Sequence, residues 1–220
     1  MPINRPYGTI ADLPGIVPVF TLPSALLLPR AELPLNIFEP RFLAMVDHAL
    51  RGDRLIGMIQ PLEEGAESPK LFPVGCVGRI TGFVETGDGR YQITLSGVAR
   101  FRAEGEAATD HPFRNVMADF SGFADDLVPR TDEEAAVDRD ALFAALKGYA
   151  GRHGLSIDWD SVHKAPSEAL VNALSMMSPF GIGDKQALLE AKTVSDRADV
   201  LVAITRFELA RPDGAPSRLQ

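Results

Sequence analysis

The sequence predicts an α+β fold in which a strand-rich half with one inserted helix precedes a helical half. Three observations predict it. Apolar residues alternate in short runs between Val17 and Phe120, punctuated by Gly, Pro and Asp. One stretch among them, from Pro40 onward, switches to the helical period. Beyond Thr131 the period is helical in run after run, each opening on a capping residue or a proline.

Leu33 to Gln60 organises the first half. Leu33–Ile37 is a short apolar strand, Phe38-Glu39-Pro40 is a corner, and Pro40 suits a first helical turn, where its missing N–H has no partner to lose. Phe42, Met45, Val46, Ala49 and Leu50 then share one helix face, and Gly52 is expected to stop the helix in a left-handed conformation. Arg54–Gln60 resumes as a strand. A helix between two strands here predicts one that plugs or caps a small barrel. Around this stretch, Val17–Leu22 is a first strand, with Pro18 favouring an edge or a strand start. Val74–Glu85 is a strand whose Gly75, Gly78 and Gly82 predict bulges, and Gly87-Asp88-Gly89 is a hairpin turn. Tyr91–Ser96, continued by Val98–Glu106, and Asn115–Phe120 complete about six strands.

In the second half Thr131 and Glu134 form a capping box ahead of a helix carrying Val137, Ala141, Leu142, Ala145, Leu146 and Tyr149. A loop holding Trp159 follows. Pro166 opens the next helix, Asp184 is expected to cap a third and Ser195 a fourth. The domains expected are 14–122 and 131–211.

Composition sets the functional bounds. A net charge of −8 argues against broad capture of nucleic acid or of an anionic membrane. The lone Cys76 is expected in the core, with no disulfide and no cysteine-based metal cluster. The start of the chain lacks the apolar centre of a signal peptide, and the early apolar run is broken by Pro18 and Pro23, so a cytoplasmic protein is expected.

Three segments carry a resemblance: VPVFTLPSALLLPRAELPLNIFEPRF; FPVGCVGRITGF followed by GRYQITLSGVARFR; and the helical tail with Lys185-Gln186-Ala187-Leu188-Leu189-Glu190. In this order they resemble the N-terminal substrate-binding domain of Lon-type ATP-dependent proteases, and in particular stand-alone bacterial proteins made of that domain alone. The resemblance implies an N-terminal PUA-like pseudo-β-barrel followed by a C-terminal helical bundle. It also implies a non-catalytic module that binds unfolded or partly folded polypeptides as an adaptor or holder for a protease system. A small-ligand sensor and an RNA-binding PUA-like protein are the alternatives. A peptidase label travels with the family, but the sequence contains no GxxxxGK[ST] phosphate loop and no Gly-x-Ser-x-Gly elbow. His48, His111, His153 and His163 show no metal-ligand spacing, and no cofactor is expected.

The candidate substrate-binding residues are Phe38, Glu39, Arg41, Met58, Phe72 and Phe180. Glu39 and Arg41 read either as the polar rim of a groove or as an ionic corner that fixes the helix's approach angle. Phe38, Met58, Phe72 and Phe180 are apolar groups whose exposure would mark a client surface. Arg79, Arg100 and Arg102 are expected on solvated outer strand faces.

Overall fold

The computed structural model describes residues 7–63, 65, 68–128, 136–154 and 156–210. The chain divides into two compact units, Met1–Pro129 and Arg130–Gln220. The architecture is α+β, strands first and helices second.

In the first unit a 3-10 turn at Ile10–Asp12 leads into β1 (Ile16–Phe20), β2 (Glu32–Ile37), α1 (Pro40–Arg51), β3 (Leu55–Met58), β4 (Val74–Glu85), β5 (Tyr91–Ala107) and β6 (Arg114–Asp119). A second 3-10 segment, Ser121–Leu127, follows β6. The sheet runs β2-β5-β4-β3-β1-β6, and β5 also pairs with β6. Strands β5, β4, β3, β1 and β6 therefore close a ring, with β2 lying outside it. Among the described strands only β1 and β3 run parallel. The ring is a pseudo-barrel, because register shifts at Val77/Gly78, Ile80/Gly82 and Ala103/Gly105 break its regularity.

Strand β5 does most of the joining. Its first part, Tyr91–Ser96, lies between β2 and β4, and its last part, Arg102–Ala107, pairs with β6. Gly97 marks the change of neighbour. A Cβ there would sit 2.0 Å from the Leu28 carbonyl oxygen, so only glycine lets the two backbones approach this closely. At the tip of the β4–β5 hairpin, Gly87 and Gly89 take positive φ and the Thr86 N–H donates to the Arg90 carbonyl at 3.0 Å.

Helix α1 buries Phe42, Met45, Val46 and Ala49, and Phe42 meets Phe20 of β1 edge to face at 4.8 Å. Leu50 is only half-buried. The ring interior is a separate cluster that includes Val17, Val19, Val77, Phe101 and Val116. Cys76 is fully buried, as a small apolar group. The stop after α1 differs from expectation. Gly52 has φ −114°, and the positive φ falls instead at Arg54 (59°), whose N–H donates to the Ala49 carbonyl.

Arg100 also differs from expectation. It is on the outer strand face, as alternation requires, yet it is only 5% exposed. The segment Ser121–Leu127 covers it. The Asp126 carboxylate accepts from the Arg100 backbone N–H (2.9 Å), Nε (2.9 Å) and Nη2 (2.8 Å), and the guanidinium stacks over Phe123 at 5.0 Å. Arg30 Nη1 donates to the Asp126 carbonyl at 2.6 Å. Arg102, two residues on, is exposed.

The second unit contains α2 (Arg139–His153), α3 (Trp159–Lys164), α4 (Ser167–Met177), α5 (Ile182–Glu190) and α6 (Val194–Ala210). The Thr131–Glu134 capping box lies outside the described residues. The cap of α2 is Asp138, which accepts from the Ala141 N–H at 2.9 Å. The expected Trp159 loop is a short helix, capped by Asp158 through Ser161. Gly181 is the N-cap of α5, and Asp184 lies inside its first turn. Thr193 caps α6, not Ser195: the Thr193 hydroxyl accepts from the Asp196 N–H (3.0 Å) and the Asp196 carboxylate accepts from the Thr193 N–H (3.2 Å). Ser195 instead donates to the Ala136 carbonyl.

Two cations hold this unit together from inside. Lys185, 2% exposed, donates from Nζ to the Ser175 and Met176 carbonyls at the end of α4, at 3.0 and 2.5 Å. Arg197, 4% exposed, donates to the Leu188 carbonyl and to Asn172 Oδ1. Burial pushes the Lys185 ammonium down to about 8.

Candidate functional site

The corner between β2 and α1 carries the most exposed aromatic side chain of the first unit's described residues, Phe38, at 63%. The following residue, Glu39, is the N-cap of α1 and keeps extended backbone (ψ 133°), with Pro40 filling the first helical position. Its side chain makes no cap bond. The carboxylate instead accepts from Arg41 Nε (2.9 Å) and Nη2 (2.8 Å), and the Arg41 guanidinium lies 4.4 Å over the Phe42 ring. The corner is thus an exposed aromatic side chain beside an ion pair in which two guanidinium nitrogens share Glu39 Oε2, the guanidinium lying over a buried ring.

Strand β2 runs up to this corner as the edge of the sheet. The Ala31 carbonyl accepts from the Gly97 N–H at 2.8 Å, and Leu33, Leu35 and Ile37 pair with Leu95, Ile93 and Tyr91. Antiparallel parity then turns the backbone groups of these odd residues toward β5 and those of Glu32, Pro34 and Asn36 toward the open side. Pro34 costs the ladder nothing at such a position. Among the described residues no strand pairs with that open side.

The end of β2 adjoins an aromatic pair on the hairpin. Ile37 is in register with Tyr91, and the Tyr91 ring meets Phe83 at 5.0 Å. Phe83 and its neighbour Val84 are 41% and 56% exposed. The Tyr91 hydroxyl donates to Asp47 of α1 at 3.1 Å; burial, and then that carboxylate, push the phenol up from its ordinary value.

The remaining sequence-derived residues do not join this corner. Met58 is 2% exposed in β3, where it pairs with Cys76 and faces the core. Phe72 is half-buried after the 61–70 loop, its N–H donating to the Gln60 carbonyl. Phe180, in the second unit, is 6% exposed and lines a small apolar cleft with Leu142, Tyr149, Leu174 and Leu201. Met58 and Phe180 are therefore core side chains. Phe83 and Val84 were not singled out in the sequence, although they stand where the glycine-interrupted strand runs out to its turn.

Family comparison decides the relationship. The model of the ATP-dependent protease La (LON) substrate-binding domain matches residues 16–206. The chain belongs to the Lon substrate-binding domain family. Similar Lon family members include "Lon protease 2" of Sorangium cellulosum, 26% identical over 95% of this chain and 27% of that protein. "Lon protease 2" of Myxococcus xanthus is 28% identical over 49% of this chain and 13% of its own length. The chain thus spans about a quarter or less of these curated relatives. The Lon-type fold recurs in solved structures. A Lon N-terminal domain protein from Xanthomonas campestris has TM-score 0.60 at 22% identity, covering 86% of this chain and 97% of that one. The N-terminal domain of Mycobacterium avium complex Lon protease has TM-score 0.61 at 19% identity, covering 87% and 98%. No helix among the described residues is long and apolar enough to cross a membrane.

Proposed function

We propose that this chain is a non-catalytic polypeptide-binding module that holds unfolded or partly folded segments, serving a proteolytic system as adaptor or holder. Membership of a substrate-binding family over residues 16–206 is the observation that carries the reading. The geometry of the β2–α1 corner supports a location for it. Phe38 offers an apolar anchor, the Glu39–Arg41 pair a polar rim, and the open side of β2 a row of backbone groups. An extended client gains main-chain hydrogen bonds from such an edge and side-chain burial from the anchor. Phe72, half-buried, is a second apolar contact; Met58 and Phe180 act from the core by supporting their units.

The test is fluorescence anisotropy of a labelled, permanently unfolded polypeptide titrated with this protein, beside a folded control. Saturable binding of the unfolded chain alone is expected, with Phe38→Ser weakening it at least about tenfold, the loss of one well-buried anchor. Equal affinity for both polypeptides, or no saturable binding, defeats the function. Unchanged affinity in Phe38→Ser defeats only the location.

A further inference from the structure

Two histidines far apart in sequence meet on the surface of the first unit. His48 stands in the last turn of α1, and His111 in the turn between β5 and β6. Both are exposed, with ring centres 4.6 Å apart and planes at 58°. Beneath them lies Phe113, 4% exposed, which stacks on His111 at 4.9 Å and 8° and meets His48 at 5.5 Å. The turn that presents His111 is fixed by its own N–H, which donates to the Thr109 hydroxyl at 3.1 Å. One imidazole is thus carried on a helix and the other on a stacked, hydrogen-bonded turn, so their spacing is built into the fold.

With metal–nitrogen distances of about 2.0–2.1 Å, two imidazoles sharing one ion at angles between right and tetrahedral have ring centres roughly 4.5–5.2 Å apart. The observed 4.6 Å falls inside that range. Each imidazole offers two nitrogens, and the terminal ring torsion is soft, so rotation about Cβ–Cγ can turn one nitrogen of each ring toward a shared ion. We propose that His48 and His111 form an open two-imidazole site for a late first-row divalent ion, of the zinc, nickel or copper(II) class. The bound ion clamps the end of α1 to the β5–β6 turn. Imidazole donors select this class over magnesium and calcium, which prefer oxygen. Among the described residues no group of three or more His, Cys, Asp and Glu side chains converges. Water completes the coordination, and the ion exchanges readily.

The test is calorimetric titration of the chelator-treated full chain with ZnCl2, with MgCl2 as control. One-to-one saturable heat with zinc and none with magnesium is expected. His48→Gln and His111→Gln should each weaken zinc binding at least tenfold, while His153→Gln leaves it unchanged. Copper(II) should broaden the NMR signals of the His48 and His111 rings in the unaltered chain ahead of all other imidazoles, which needs no variant. Absence of saturable zinc binding overturns the site, as does wild-type affinity in either substituted chain or broadening that centres on His153 or His163.

Discussion

Replacing Asp126 by Asn should destabilise the first unit by about 3 kcal/mol, the lower end of the cost of breaking a buried ion pair. The Arg100 and Asp126 side chains are only 6% and 7% exposed, so the guanidinium has little water to turn to. An amide at position 126 keeps the volume and one acceptor oxygen. It also places an N–H2 against the guanidinium donors and removes the compensating charge, and it loses at least one of the three bonds within 2.9 Å. Asp126→Ala, which removes every acceptor, should lie nearer 5 kcal/mol, the upper end of the same range at roughly that figure. The doubly apolar Arg100→Met/Asp126→Leu chain should regain much of the loss, because neither charge is then stranded. Urea unfolding followed by circular dichroism gives the three free energies. Amide exchange at Arg100 reports whether the latch itself has opened. A cost below about 1 kcal/mol for Asp126→Asn, typical of a solvent-screened pair, would refute the reasoning.

Gly97→Ala should destabilise by more than about 3 kcal/mol, since its Cβ would meet backbone rather than a movable side chain; a thermal melt checks it. Lys185 has a folded-state value near 8, below its ordinary 10.5, so the unfolded chain binds the extra proton between those pH values. Stability of the second unit should therefore rise from pH 8 toward 10.5, and Lys185→Met should flatten that rise, read from urea midpoints by Trp159 fluorescence. Thr193→Ala should cost about 1 kcal/mol as a lost helix cap, while Ser195→Ala costs less, the order in their melting temperatures deciding which residue is the cap.

The strand positions were legible because their signals are local. Val74–Glu85 ends where its glycines and the hairpin turn say it ends, and α1 starts at Pro40 with the predicted buried face. Alternation correctly put Arg100 on the outer face of β5. It carries no information about a segment arriving twenty-odd residues later to cover that face, and so the latch was invisible. Capping residues were misplaced for a related reason. Thr193 and Ser195 are both good N-caps, and the choice between near neighbours depends on where packing starts the helix. Apolar anchors suffered most. Phe38 and Met58 are equally apolar in sequence, and only the closed ring decides that one is 63% exposed and the other 2%. The meeting of His48 with His111 is likewise a product of topology, since helix and turn are joined through Phe113 and not through sequence spacing.

The pairing of β1 sets the order in which the ring can be made. As the chain leaves the ribosome, β1 comes first, but its parallel partner β3 is complete only at Met58, and its other partner β6 only at Asp119. The β4–β5 hairpin, by contrast, joins neighbours in sequence and can zip as soon as Tyr91 onward emerges. Until β6 arrives, one side of β1 remains a template for any passing strand. The Ala118 N–H donates to the Gly15 carbonyl, so parity turns the Val17 and Val19 backbone groups toward that waiting side and leaves Pro18 facing β3. The closed sheet thus brings a late, long-range step to biosynthesis, and a nascent chain stalled before Arg114 would be the form most exposed to misassembly.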